Sequence, residues 1–92
     1  MRPLPLLASL VFVGWVALAG SRHETVAFAV HCYDVGKQAL AGLPGVDSVS
    51  SLWRDGQEVN VVRYDPGRID RVRMEDVLRR VGTYRATLSP TP

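Results

Sequence analysis

At 92 residues, 47% of them hydrophobic, the chain has room for one small domain with one core. Eleven Lys and Arg against nine Asp and Glu leave a formal net charge of +2, which excludes the strongly basic footprint of a nucleic-acid-binding protein. A single cysteine excludes an internal disulfide framework, so stability must come from packing, and the thiol is left to stay free, pair with another molecule, bind a metal or react.

The first element stands apart from that domain. MRPLPLLASLVFVGWVALAG carries Arg2 early, runs apolar from Leu4 to Leu18 and reaches Ala17-Leu18-Ala19 ahead of Gly20, the pattern of a secretory signal peptide with an A-x-A cleavage site. Gly20 and Ser21 stand where a lipoprotein signal carries cysteine. The expectation is a signal peptide over 1–19 and a single domain over 20–92 with an ordered core of about 24–88. The domain is expected to be exported, periplasmic or extracellular, and held at a membrane only through the signal segment if that stays uncleaved. Without Arg2, ten Lys and Arg face nine Asp and Glu, a net charge near +1.

TVAFAV, 25–30, alternates Val26, Phe28 and Val30 with small residues and predicts a half-buried strand. Asp34 is placed to cap a helix running to Ala41, with Val35, Ala39 and Leu40 on its apolar side and Gly42 as a left-handed stop. LPGV then turns the chain into a second strand from Val46 to Trp53. RDGQ holds the Asp-Gly pair of a tight hairpin, which returns the chain as a third strand, EVNVVRY. DPGR ends that strand, and Asp70 caps a second helix with Met74, Val77, Leu78 and Val81 along one stripe. Gly82 closes it, TYRATL alternates Tyr84, Ala86 and Leu88 as a fourth strand, and SPTP is a frayed tail.

The order βαββαβ predicts an α+β, ferredoxin-like sandwich: a four-stranded antiparallel sheet with both helices on one face. In that topology the first strand lies between the third and fourth. One end of the sheet then collects Cys32 and Tyr33 at the start of the first helix, Glu58 at the start of the third strand, and Thr83 and Tyr84 at the start of the fourth. A cysteine at a helix start meets the positive end of the helix dipole and unpaired N–H groups, which favour negative charge there.

These residues resemble a known family. FAVHCYDVGKQALAGLPGV is similar to the signature region of peptide methionine sulfoxide reductase A: Phe28, Ala29, Cys32, an aromatic at Tyr33 and Leu43-Pro44-Gly45-Val46 fit without a gap. EVNVVRYDP is similar to that family's Glu-Val-x-x-Val-x-Tyr-Asp-Pro stretch, and Glu58 keeps its spacing to Tyr64-Asp65-Pro66. The resemblance covers about Phe28 to Leu78 in two blocks. It implies a peptide-methionine (S)-S-oxide reductase in which Cys32 is the nucleophile, Glu58 the proton donor and Tyr33 part of the methyl-binding pocket. Tyr84, brought to the same end, is a further expected substrate contact. With no second cysteine, an external thiol must act as reductant, and no metal or organic cofactor is implied. Val30 and His31 replace the family's two glycines, Asp34 and Lys37 replace its pocket tryptophan and helix glutamate, and the long loop after the second strand shortens to LWRDG. These departures imply weakened or lost activity.

The chain also resembles heavy-metal-associated domains, through its βαββαβ order, LPGV, YDP and the late Gly82-x-Tyr84. There Cys32 matches the second cysteine of the C-x-x-C metal site, and the first falls on Ala29. That resemblance implies soft-metal binding, Cu or Hg, by Cys32 with His31 and with His23 as a further donor. A third reading is a noncatalytic ferredoxin-like interaction domain, with Arg71, Arg73, Arg79 and Arg80 of the second helix as a binding face.

Overall fold

The computed structural model describes residues 22–88, so the expected signal peptide over 1–19 and the tail 89–92 lie outside the described residues. Six elements follow one another: β1 (Glu24–Val30), α1 (Tyr33–Ala41), β2 (Val46–Arg54), β3 (Gln57–Tyr64), α2 (Arg71–Arg80) and β4 (Tyr84–Leu88). The strands form one antiparallel sheet in the order β2-β3-β1-β4, the ferredoxin-like arrangement, with β1 paired to both β3 and β4. No helix among the described residues is long and apolar enough to cross a membrane.

Alternation decides which side of the sheet the helices cover. Val26, Phe28 and Val30 share a face with their β3 partners Val62, Asn60 and Glu58. On that face Leu40 of α1 and Met74 and Leu78 of α2 join Val26, Phe28, Val30, Val49, Val62, Tyr64 and Ile69 in one core. Removing a fully buried leucine such as Leu40 or Leu78 leaves a cavity and costs about 2–5 kcal/mol. The Asp55-Gly56 pair takes positive φ at both positions, 51° and 76°, giving the hairpin turn whose twist matches the flanking strands.

The two helices meet their expected boundaries unequally. In α2, Asp70 is the N-cap and its carboxylate accepts the Arg73 N–H at 2.8 Å, while Met74 and Leu78 are buried. Its end is a Schellman motif: Gly82 has φ +78°, the Gly82 N–H donates to Arg79 O at 3.0 Å, and the Thr83 N–H donates to Leu78 O at 3.0 Å. Val81 does not extend the apolar stripe, because it sits at the C-cap, where the chain leaves the helix, and is 46% exposed.

In α1 the expected end at Ala41 holds, with Gly42 as the C-cap, while the start and the conformation of the stop differ. Cys32 is the N-cap, in extended conformation, and Asp34 lies inside the first turn, where its charge suits the positive helix end without capping it. Gly42 has φ −90°, so it is no left-handed stop; the positive φ falls on Gly45, at +96°, inside LPGV. The buried side is Gly36 and Leu40, and Val35 is 40% exposed. The cause is close approach. A Cβ at Gly36 would lie 2.0 Å from Asn60 Oδ1, so the helix brings its glycine against the sheet and turns Val35 outward.

The expected alternation of β4 is broken as well. Its register against β1 shifts between Ala29 and Val30, so Tyr84 pairs with Val30 while Ala86 pairs with Ala29 and Leu88 with Ala27. Tyr84 packs edge-on against Phe28 in the core and shares no face with Ala86 and Leu88, because the bulge adds a residue between them.

Candidate functional site

Where β1 runs out, three segments close around the start of α1. From the residue just before β4, the Thr83 carbonyl accepts the His31 N–H at 2.8 Å and the Thr83 hydroxyl accepts the Cys32 N–H at 2.8 Å. The same hydroxyl donates to Cys32 O at 3.2 Å. From β3, Glu58 lies opposite Val30, and its Oε1 accepts the Tyr33 N–H at 3.0 Å. Two residues along, Asn60 is fully buried, and its amide donates to Tyr33 O at 3.0 Å and to Ser51 Oγ at 3.4 Å. From β2, Trp53 pairs with Glu58 and meets the Tyr33 ring edge-on, centroids 6.4 Å apart.

Each contact follows from local chemistry. The first N–H groups of a helix have no partner within it, and Cys32 offers no side-chain cap. Glu58 supplies the missing acceptor from the neighbouring strand, and a carboxyl group at this terminus is favoured by the aligned peptide dipoles. The thiol itself is free and half-buried. Trp53 is 62% exposed, so its ring and the half-buried ring of Tyr33 leave an apolar surface beside the Glu58 position.

Comparison of the chain with protein-family models, curated proteins and solved structures finds no match. The functional reading therefore rests on the geometry together with the sequence resemblance.

Of the residues expected at the site, Cys32, Tyr33 and Glu58 come together, joined by the Tyr33–Glu58 hydrogen bond. His31 follows β1 directly and is exposed. Tyr84 reaches this end only with its backbone, as the partner of Val30. Its ring packs on Phe28 with the Arg79 guanidinium 4.5 Å over it, and its hydroxyl bonds Thr87 Oγ1 at 2.9 Å, which in turn donates to Glu75 at 2.5 Å. Core packing and this polar chain occupy the side chain expected to touch substrate.

His23 is not a ligand partner for Cys32 within one molecule. The seven-residue β1, itself about 20 Å long, and His31 lie between the two residues, and His23 pairs with Asp47, an ion partner also of Arg63. Among the described residues no three of His, Cys, Asp and Glu gather as a metal-holding group. On α2, Arg73 and Arg80 both pair with Asp76, at 3.9 and 3.0 Å, and Arg79 covers Tyr84.

Three residues that build the site, Trp53, Asn60 and Thr83, carried readable signals. Counting back from the two-residue Asp-Gly turn sets Trp53 opposite Glu58. Asn60 is a polar residue on the inward period of a valine-rich strand, and an inward polar group needs a partner. Thr83 follows the helix-ending glycine directly, although the bond its hydroxyl makes depends on a residue 51 positions away.

Proposed function

We propose that this domain is a thiol-dependent reductase of the methionine-sulfoxide type, with Cys32 as nucleophile and Glu58 as proton carrier. The observation supporting this reading is the 3.0 Å bond from the Tyr33 N–H to Glu58 Oε1, which holds a carboxyl group against the residue that follows the thiol. Glu58 takes the thiol proton, the sulfur of Cys32 attacks the sulfoxide sulfur, and Glu58 delivers the proton to the sulfoxide oxygen. The new S–S bond and the substrate S–O bond then break as the protonated oxygen passes to the Cys32 sulfur, so the thioether leaves and Cys32 is left as a sulfenic acid. Sulfur is reduced by two electrons in the substrate and oxidised by two in the cysteine. Two equivalents of an external thiol then return Cys32 to the thiol, releasing water and a disulfide. Tyr33 and Trp53 offer the S-methyl group an apolar surface, with Trp53 standing in for the aromatic lost at Asp34.

The experiment is incubation of the purified protein with N-acetyl-methionine S-sulfoxide and dithiothreitol, then with the R epimer. Turnover of the S epimer alone is expected, abolished in Cys32→Ser and lowered about 100-fold or more in Glu58→Gln, the scale of a lost general acid. A wild type no faster than Cys32→Ser overturns the proposal. A stoichiometric Cu(I) or Hg(II) complex that survives chelator competition and disappears in Cys32→Ser, in a protein without turnover, replaces it with metal binding.

A further inference from the structure

We infer that Thr83 is a positioning residue for Cys32: its hydroxyl clamps both ends of the cysteine's backbone and holds Cys32 at the start of α1, next to the Tyr33 N–H that Glu58 accepts. The inference deepens the reductase reading and rests on it for the role of the thiol, but the clamp itself is read from the geometry.

Thr83 is 2% exposed, and a buried hydroxyl must find partners. Both of the partners found belong to one residue, the Cys32 N–H at 2.8 Å and Cys32 O at 3.2 Å. With the His31 N–H donating to Thr83 O at 2.8 Å, three hydrogen bonds from one residue fix the dipeptide His31-Cys32. They continue β1–β4 contact beyond the bulge, past the last paired residues Val30 and Tyr84. Without the hydroxyl, the N–H of the N-cap residue would have no acceptor and the extended conformation of Cys32, φ −141° and ψ 114°, would lose its restraint.

Thr83 is in turn placed from the other helix. It is the last residue of the α2 Schellman motif, its N–H bound to Leu78 O, and the left-handed Gly82 turns it toward β1. The end of α2 therefore sets the start of α1. For a nucleophile this matters because reaction demands a narrow approach geometry, and a displacement of about 1 Å can cost on the order of 100-fold in rate.

Valine keeps the shape of threonine without the hydroxyl, and serine keeps the hydroxyl without the methyl. The experiment measures sulfoxide turnover, the pH profile of Cys32 alkylation by iodoacetamide, and urea unfolding for Thr83→Val and Thr83→Ser. Thr83→Val is expected to lower kcat about 10- to 100-fold at unchanged KM and to alter the alkylation profile, with Thr83→Ser restoring both. A folded Thr83→Val with wild-type kcat and alkylation profile overturns the inference, as does a serine variant as impaired as valine. If the wild type shows no turnover, the reductase reading fails and the alkylation profiles alone decide the clamp. If Thr83→Val does not fold, amide exchange of the wild type decides it: a protected Cys32 N–H supports the clamp, and exchange at the rate of an exposed amide overturns it.

Discussion

The starts of the two helices solve the same problem in opposite ways. At α2 the N-cap residue Asp70 accepts the N–H of Arg73, three positions on, and the cap is complete within one turn of chain. At α1 the N-cap residue Cys32 makes no side-chain cap bond; Glu58 caps from β3, Asn60 holds the first-turn carbonyl, and Thr83, just before β4, fixes the cysteine backbone. A self-capped helix needs little from the rest of the fold. A helix capped by its neighbours leaves its N-cap position open to a side chain that does not cap, and here that side chain is a thiol.

The contrast breaks most severely at Gly36. Gly36→Ala sets a Cβ against Asn60 Oδ1 and 3.4 Å from Leu78 Cδ2, so the buried Asn60 amide or α1 itself must shift, at an expected cost of about 1–3 kcal/mol by urea unfolding, with the Asp70 cap of α2 left intact. In a double-mutant cycle with Asn60→Ala the combined loss should fall short of the sum of the two single losses, since the second change removes the atom the first one strikes.

Smaller effects separate the two caps from each other. Asp70→Ala and Glu58→Ala should each lower stability by about 1 kcal/mol, because each strips a helix N–H of its acceptor. Asp70→Ala should leave Cys32 alkylation at the wild-type rate, and Glu58→Ala should change it. Glu58→Gln retains an oxygen for the Tyr33 N–H and should unfold close to wild type while losing turnover, which divides the structural part of Glu58 from its chemical part.

The smallest expected change has the opposite sign. Serine is a good N-cap residue and cysteine at this position makes no cap bond, so Cys32→Ser should raise stability by a few tenths of a kcal/mol while eliminating thiol chemistry. Equal or lower stability in that variant would mean that Glu58 and Thr83 already satisfy the helix start completely.

What could be read beforehand follows the range of each interaction. The βαββαβ order, the Asp-Gly hairpin, the Asp70 cap and the Gly82 stop rest on residues within a few positions of one another, and each is present as expected. Placing Cys32, Tyr33 and Glu58 together needed only the strand order, because β1 and β3 run antiparallel as central neighbours. The start and rotation of α1 were not legible, since Gly36 meets Asn60 only after the sheet is formed, and neither periodicity nor propensity encodes that meeting. Tyr84 was misplaced for a related reason: a bulge in β4 is invisible to an alternation rule that counts every residue once.

The bond between Cys32 and Thr83 spans 51 residues of sequence, whereas Trp53 and Glu58 sit either side of a two-residue turn. A hairpin of that kind closes in about 1–10 μs, but joining the last strand to the first waits on the closure entropy of nearly the whole domain. The aromatic and acidic half of the site is thus expected to assemble before the thiol is locked, so that a chain in which β4 has not docked carries a loosely held cysteine. Its sulfur then behaves as an ordinary exposed thiol, open to any oxidant or partner chain it encounters during maturation.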